Sequence, residues 1–403
     1  MRVLKYWQAR ARAEGRVNEM SWADKLAYVG KYLFAHDRSG SPEMVAHFER
    51  QKKLLAGLRE EGEIGPRLGF VGDIMWIRKG WESFASPALL EHLGDHHGIV
   101  GNLETVISTR LPVRDFWPDY MAYNSHPGLL TSLTGARKQS LFAALSFANN
   151  HALDQGDEAA EDTLTLLDEL KITRSGLQRP GEKNWGEFTR QGVRFGFYAA
   201  TFGLNDDRLL QHSKLNLNRL PALLPSGPGS IDEAATALAE MKGVDVKIIF
   251  LHWGHEFESF PTARQMEVAR QLVQAGADLV VGSHSHVAQP NEVLFVNEKP
   301  TGALPADCVE APGGPRRALI FYSLGNFANA MYGFPCRVAQ IRSLQFYSHQ
   351  GKVTFSAPTT RLFYNQHTGG KLNLLPLEEY LSQRGNPPHL LFEAANLRSH
   401  IGS

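Results

Sequence analysis

The chain has 403 residues, 43% hydrophobic and 10% aromatic, with 42 basic side chains against 42 acidic ones. This is enough apolar material for a packed core, and the length allows two or three average domains or one large domain with additions. Balanced charge leaves no global field to attract nucleic acid or an anionic membrane surface, so an anionic small-molecule or polymer substrate must be held locally.

Met1–Trp7 carries charge with no apolar stretch after it, so no secretory signal is read there, and no transmembrane segment of sufficient apolar length follows. The expected compartment is the cytoplasm. Residues 1–62 read as an N-terminal helical extension, with Leu26, Val29, Tyr32 and Leu33 spaced for one helical face. From Leu68 onward, short apolar runs alternate with amphipathic patterns. The runs are Leu68–Val71, Ala144–Ala148, Val193–Ala199, Val246–Leu251, Leu279–Val281 and Ala318–Tyr322. Between them, Ala160, Leu164, Leu167 and Leu170 form one helical stripe, and Met266, Ala269, Leu272 and Val273 form another. Strand and helix in alternation predict an α/β sheet buried on both faces.

The His96-His97 pair after Asp95 reads as a solvated helix end, since adjacent helical residues do not face one spot. Arg110–Pro127, with Phe116, Trp117, Tyr120 and Tyr123, and the loop-like Thr201–Ser230 are both long enough to wall a cleft. Two cysteines, Cys308 and Cys336, share no metal-binding spacing and cannot form a disulfide framework. Beyond Tyr322, Arg342–Tyr347 and Val353–Tyr364 read as antiparallel strands. The expected division is 1–62, a central domain at 63–345, and C-terminal strands and wrap at 346–403.

Candidate chemistry gathers where apolar runs end. Asp73 follows Phe70-Val71-Gly72, where the glycine is expected to turn the backbone so that the carboxylate projects from the strand end. Arg78, five residues on, suits an anion clamp. Glu104 ends Ile99–Glu104, and a carboxylate in that position is able to bridge two cations. In Asn149-Asn150-His151, an Asn oxygen is a neutral ligand and the next His is placed to donate a proton, with Asp154 near enough to orient it. His252 closes a strongly apolar run, with Glu256 four residues later. His284 and His286 follow Gly282, and on an extended segment both point to one side, a metal-binding pattern.

On these residues the chain resembles the CapA family, the poly-gamma-glutamate capsule-synthesis proteins of the calcineurin-like metallophosphoesterase superfamily. The matching blocks run from Gly72–Met75 with Arg78 through Asn102–Glu104, Asn149–Gly156, His252–Gly254 with Glu256, Gly276–Asp278 and Gly282–His286 with Gln289-Pro290 to Tyr322–Phe327. The resemblance implies a four-layer fold, a metallophosphoesterase-like β-sandwich flanked by helices, and one or two divalent ions (manganese, zinc or iron). It implies Asp73, Glu104 and His286 around one ion and Glu104, Asn150, His252 and His284 around the other. His151 is then the proton donor, with Asp154 beside it. Arg78, Glu256 and Asn326 are the residues expected to bind substrate. Met75 departs from the superfamily's usual Asp-x-His, and a thioether is a poor ligand for such cations, so the first set is one ligand short.

The implied activity is metal-dependent hydrolysis, with activated water attacking a phosphoester or a gamma-glutamyl-type amide in polyglutamate, capsule or related biosynthesis. Alternatives are a non-catalytic accessory protein that binds an anionic polymer or biosynthetic intermediate, and a metal-dependent acyl transferase.

Overall fold

A computed structural model describes residues 40–59, 62–77, 79–81, 84–113, 122–135, 139–223 and 229–402. The stripe expected around Leu26–Leu33, together with Phe116, Trp117, Tyr120 and Arg78, lies outside the described residues.

Two sheets organise the chain. The first has nine strands. Its main path runs Lys371–Pro376, Thr359–Thr368, Val338–His349, Glu63–Met75, Gly98–Glu104, Phe142–Ser146 and Thr173–Ser175. Asn326–Ala328 pairs with Glu63–Met75, and Lys352–Phe355 pairs with Val338–His349. The second has seven strands, in the order Cys308–Val309, Asn291–Val296, Arg316–Phe321, Leu279–Ser283, Val246–His252, Val193–Thr201 and Trp185–Arg190. Every apolar run read from the sequence lies within or across the end of one of these strands.

The layers follow from the period of two along each strand. Phe70 faces a core shared with Phe195, Ile248, Phe250, Val281 and Phe321, which fills the space between the sheets. Its neighbour Val71 faces the opposite side, against Leu89 and Leu93 of helix Pro87–Gly94 and Leu164 and Leu167 of helix Gly156–Glu169. On the second sheet, Ile249 and Leu251 face outward onto Leu238 of helix Asp232–Glu240 and onto Val268 and Leu272 of helix Ala263–Gln274. Helix, sheet, sheet, helix is the four-layer order implied by the resemblance. Helix Pro42–Ala56 lies on the second sheet, where Gln51 donates to Asp307 and accepts from the Val293 backbone.

The strand Val338–His349 spans residue 345 and pairs antiparallel with Glu63–Met75, Lys352–Phe355 and Thr359–Thr368. The segments on either side of that position therefore share one sheet. Among the described residues, no helix is long and apolar enough to cross a membrane.

Two local expectations change. Gly72 does not turn the chain. It sits inside the continuous strand Glu63–Met75, at an irregularity in the pairing between Phe70 and Asp73. The glycine is required by close approach instead, because a Cβ there would lie 1.8 Å from the Gly325 carbonyl oxygen, which accepts the Asp73 N–H at 2.9 Å. The Asp95–His97 end is not wholly solvated. His96 turns inward, with its ring nitrogens at 2.9 Å from the His92 carbonyl and 2.7 Å from Ser343 Oγ. Burial, more than any neighbouring charge, pushes its pKa down to about 4.

Gly282 repeats the close approach on the second sheet, where a Cβ would meet the Tyr322 carbonyl oxygen at 1.9 Å. Gly72→Ala and Gly282→Ala should each destabilise the fold by at least about 1–3 kcal/mol, the usual cost of overpacking. Gly94→Ala, with nothing within 4 Å of its Cβ, should cost far less. Urea unfolding of the three variants measures this, and equal midpoints would remove the close-approach explanation.

Candidate metal centre

Parallel strands deliver the candidate residues at their carboxyl ends, where α/β sheets present ligand-binding side chains. Glu63–Met75 runs parallel to Gly98–Glu104, which runs parallel to Phe142–Ser146. These bring in Asp73, Glu104 and, just beyond the third strand, Asn150 and His151. In the second sheet, Val246–His252 runs parallel to Leu279–Ser283, and His252 lies opposite Ser283. The two sheet ends meet, since the His284 backbone N–H donates to Asp73 Oδ2 at 3.1 Å.

His284 and His286 do not lie on an extended segment. The strand stops at Ser283, and both residues take positive φ, 89° and 57°. Such angles are costly for residues with a Cβ and persist where the surroundings fix them. They fold the chain so that both rings enter one cluster, with centroids 6.0 Å apart.

Three sets of donor atoms each lie within 4.8 Å of one another: Glu104, His252 and His284; Asp73, Glu104 and His286; and Glu256, His284 and His286. All of these residues are buried. His252 Nε2 lies 2.7 Å from Asn150 Oδ1 and 3.5 Å from Glu104 Oε1, and its Nδ1 lies 3.0 Å from Ser283 Oγ. Asp73 Oδ1 accepts from Asn102 Nδ2 at 2.8 Å. Both Glu104 oxygens are buried and accept no hydrogen bond among the described residues.

The electrostatics reflect this crowding. Burial raises the Glu104 pKa well above its ordinary value, and the charges of Asp73, Glu256 and Asp154 raise it further. Burial lowers the His252 pKa well below its ordinary value, reinforced by His284, His286 and His151. For His286, burial works downward, but Asp73 at 3.6 Å, Glu256 and Asn326 outweigh it and the pKa rises. A cluster of desolvated carboxylates and imidazoles is the donor set a divalent cation takes.

His151 stands beside the cluster with its Nδ1 2.5 Å from Asp154 Oδ2. The same Asp154 oxygen accepts the Tyr123 backbone N–H at 2.7 Å, and burial raises the Asp154 pKa. The Tyr123 ring stacks on His151 at 3.8 Å between centroids, and Trp76 stacks on Tyr123 at 5.7 Å. The Asn326 amide is engaged inside the protein. Its Oδ1 lies 2.9 Å from His286 Nδ1, and its Nδ2 donates to the Cys336 carbonyl and to Met331 Sδ.

Several positioning residues were missed in the sequence. Asn205, within the loop expected at Thr201–Ser230, accepts from Asn150 Nδ2 at 2.8 Å, and its backbone N–H donates to the Asn150 carbonyl. Asn149 Nδ2 donates to the Leu103 carbonyl and Asn102 Oδ1, tying two strand ends together. Asn102 and Asn149 sit within the quoted motifs. Asn205 carries no motif, and the length of its loop was the sole signal.

The family model "Bacterial capsule synthesis protein PGA_cap" matches residues 67–331, a span that contains every residue of the cluster. The chain belongs to the PGA_cap family. It is similar to the PGA biosynthesis protein CapA of Bacillus subtilis, 28% identical over 275 residues, which is 64% of this chain and 62% of that one. It is also similar to the capsule biosynthesis protein CapA of Bacillus anthracis, 29% identical over 208 residues, 51% of this chain and 44% of that one. A probable polyglutamine synthesis accessory protein of Mycobacterium tuberculosis is 28% identical over 227 residues, 53% of this chain and 56% of that one. The PGA_cap chain described here thus spans roughly half to three-fifths of the length of these relatives. Among solved structures, the calcineurin-like phosphoesterase YfkN from Bacillus subtilis aligns with a TM-score of 0.40 at 12% identity, covering 74% of this chain and 90% of that one.

Glu104 yields a test of the electrostatics. A carboxyl whose folded-state pKa is raised contributes stability below its unfolded pKa, near 4.5, and loses it as pH rises through the folded value. In metal-stripped protein, Glu104→Gln should therefore raise the melting temperature more at pH 8 than at pH 5. The same variant should lose the melting-temperature gain that manganese gives the parent. A pH-independent effect on the stripped protein would contradict the assigned burial of charge.

Proposed function

We propose that this PGA_cap protein is a metal-dependent hydrolase that cleaves a phosphoester or a gamma-glutamyl-type amide of an anionic polymer or its precursors. The observation that carries this reading is the buried carboxylate and imidazole cluster beside the His151–Asp154 pair. The donor set fits a divalent cation, because Glu104 offers two buried oxygens that accept no hydrogen bond among the described residues. Asp73, Glu104 and His286 would hold one ion, and Glu104, Asn150, His252 and His284 a second. A divalent cation in such a set supplies Lewis acidity and brings the ionisation of water toward neutral pH.

The chain's own residues supply orientation and protons. Asp154 engages His151 Nδ1, which leaves Nε2 as the atom that donates a proton to a leaving group. The carboxylate also stabilises the imidazolium from which that proton departs. Asn205 braces Asn150, and Ser283 braces His252, so that both donors keep their orientation. Tyr123 stacks on the His151 ring and Trp76 backs Tyr123, an apolar wall beside the imidazole. Arg78 is assigned the anion clamp.

The second reading, a non-catalytic binder of an anionic polymer, is favoured by Met75. Its buried side chain packs with Trp76 and Tyr123, and a thioether two residues after Asp73 is a poor ligand for such cations. The name of the Mycobacterium tuberculosis relative, a probable accessory protein, agrees with it.

Elemental analysis of protein purified without chelator, with assays on generic phosphoesters and gamma-glutamyl peptides in added manganese or zinc, separates the two. His252→Ala should lose bound metal. His151→Ala should keep its metal and lose about 10²–10⁴-fold in turnover, the range for a general acid. Stoichiometric metal with no turnover on any substrate class would favour the binder. Parent-like metal content and turnover in both variants would refute the assigned roles.

A further inference from the structure

We infer that Glu256 is a metal ligand, the fourth protein donor of the set built from Asp73, Glu104 and His286, rather than a substrate-binding residue. This deepens the metal reading above and rests on it. The argument starts at Asn326. Its Nδ2 donates to the Cys336 carbonyl and to Met331 Sδ, which fixes the amide so that Oδ1 faces His286. An amide oxygen only accepts, so His286 Nδ1 carries the proton of that 2.9 Å hydrogen bond. Nε2 is then the ring atom left to ligate a cation. That atom lies 4.0 Å from Glu256 Oε2, a separation that two ligands of one cation can take.

Burial and donor geometry point the same way. Glu256 is 4% exposed, and its oxygen forms a donor set with His284 and His286 within 4.8 Å. Glu104 in turn has two buried oxygens that accept no hydrogen bond among the described residues, the mark of a group aimed at a cation. Glu256 reaches this place from the second sheet, because the chain turns after His252 at Gly254, with φ of 84°, and the Phe257 N–H donates to the Ser285 carbonyl at 2.8 Å. Met75 has no ligating role in this scheme. Its thioether belongs to the apolar group of Trp76 and Tyr123, and the missing donor comes from a different strand.

The two sets then differ in kind. The first holds three carboxylates and one imidazole. The second holds one shared carboxylate, one amide oxygen and two imidazoles. Oxygen-rich sets select hard cations such as manganese or magnesium, whereas imidazole-rich sets accept zinc and iron.

The test is manganese titration of chelator-stripped full-length protein by calorimetry, with electron paramagnetic resonance of the loaded samples. The parent should bind two equivalents and give the exchange-coupled signal of a manganese pair. Glu256→Gln should bind one equivalent tightly, weaken the other by at least about 100-fold, and show an uncoupled signal. Glu256→Asp should restore the second equivalent at reduced affinity, and the melting temperature of each metal-free variant establishes that it folds. Two equivalents and a coupled signal in Glu256→Gln would overturn the inference while leaving the metal reading intact. No manganese bound by the parent would overturn both.

Discussion

The constraint on which this structure turns is negative charge confined where water does not reach. The side chains of Asp73, Glu104, Asp154 and Glu256 are buried in one neighbourhood, and each of the other three raises the proton affinity of Glu104. A carboxylate removed from water costs several kcal/mol unless it is paired or coordinates a cation. Asp154 has His151 and a backbone N–H; Asp73 has Asn102, the His284 N–H and the neighbouring His286. Glu104 has His252 at 3.5 Å but accepts no hydrogen bond among the described residues, an arrangement that suits a group offered to a cation.

Holding those groups together depends on backbone approaches closer than a side chain allows, along the segment that crosses from strand Arg316–Phe321 of the second sheet to Asn326–Ala328 of the first. Gly72 against Gly325 and Gly282 against Tyr322 remove the Cβ atoms that would hold the backbones apart. Sheet faces elsewhere are separated by phenylalanines such as Phe70, Phe197, Phe250 and Phe321. The space between the sheets is filled by those rings, and the donors converge at the strand ends, where the His284 N–H meets Asp73. Family membership and local geometry point to the same edge of the molecule, since residues 67–331 include it entirely.

Much of this was legible in the sequence because apolar runs that end in a ligand-type residue carry both a strand and its cargo. The runs ending at His252, Glu104 and Asp73 became strands with those residues at their carboxyl ends. What escaped was set by backbone geometry that residue type does not encode. The positive φ of His284 and His286 converts an expected strand into two bends, and the same rings converge by another route. Gly72 was read as a turn because glycine permits one, whereas its reason is a neighbour 250 residues away. Asn205 escaped for a related cause: an amide's partner is fixed by tertiary contact, and for Asn326, which its motif did single out, the contacts to His286, Cys336 and Met331 were equally unreadable.

The seat of Tyr123 carries a mechanical implication. One residue meets the acid–base pair twice, its ring lying flat on the imidazole and its main-chain amide gripping the aspartate. A guest molecule that nudged this stretch of backbone would slide the aromatic cover and loosen the carboxylate in a single stroke. Under the proton-donor role proposed for His151, recognition of what enters and delivery of the proton would both run through this one residue.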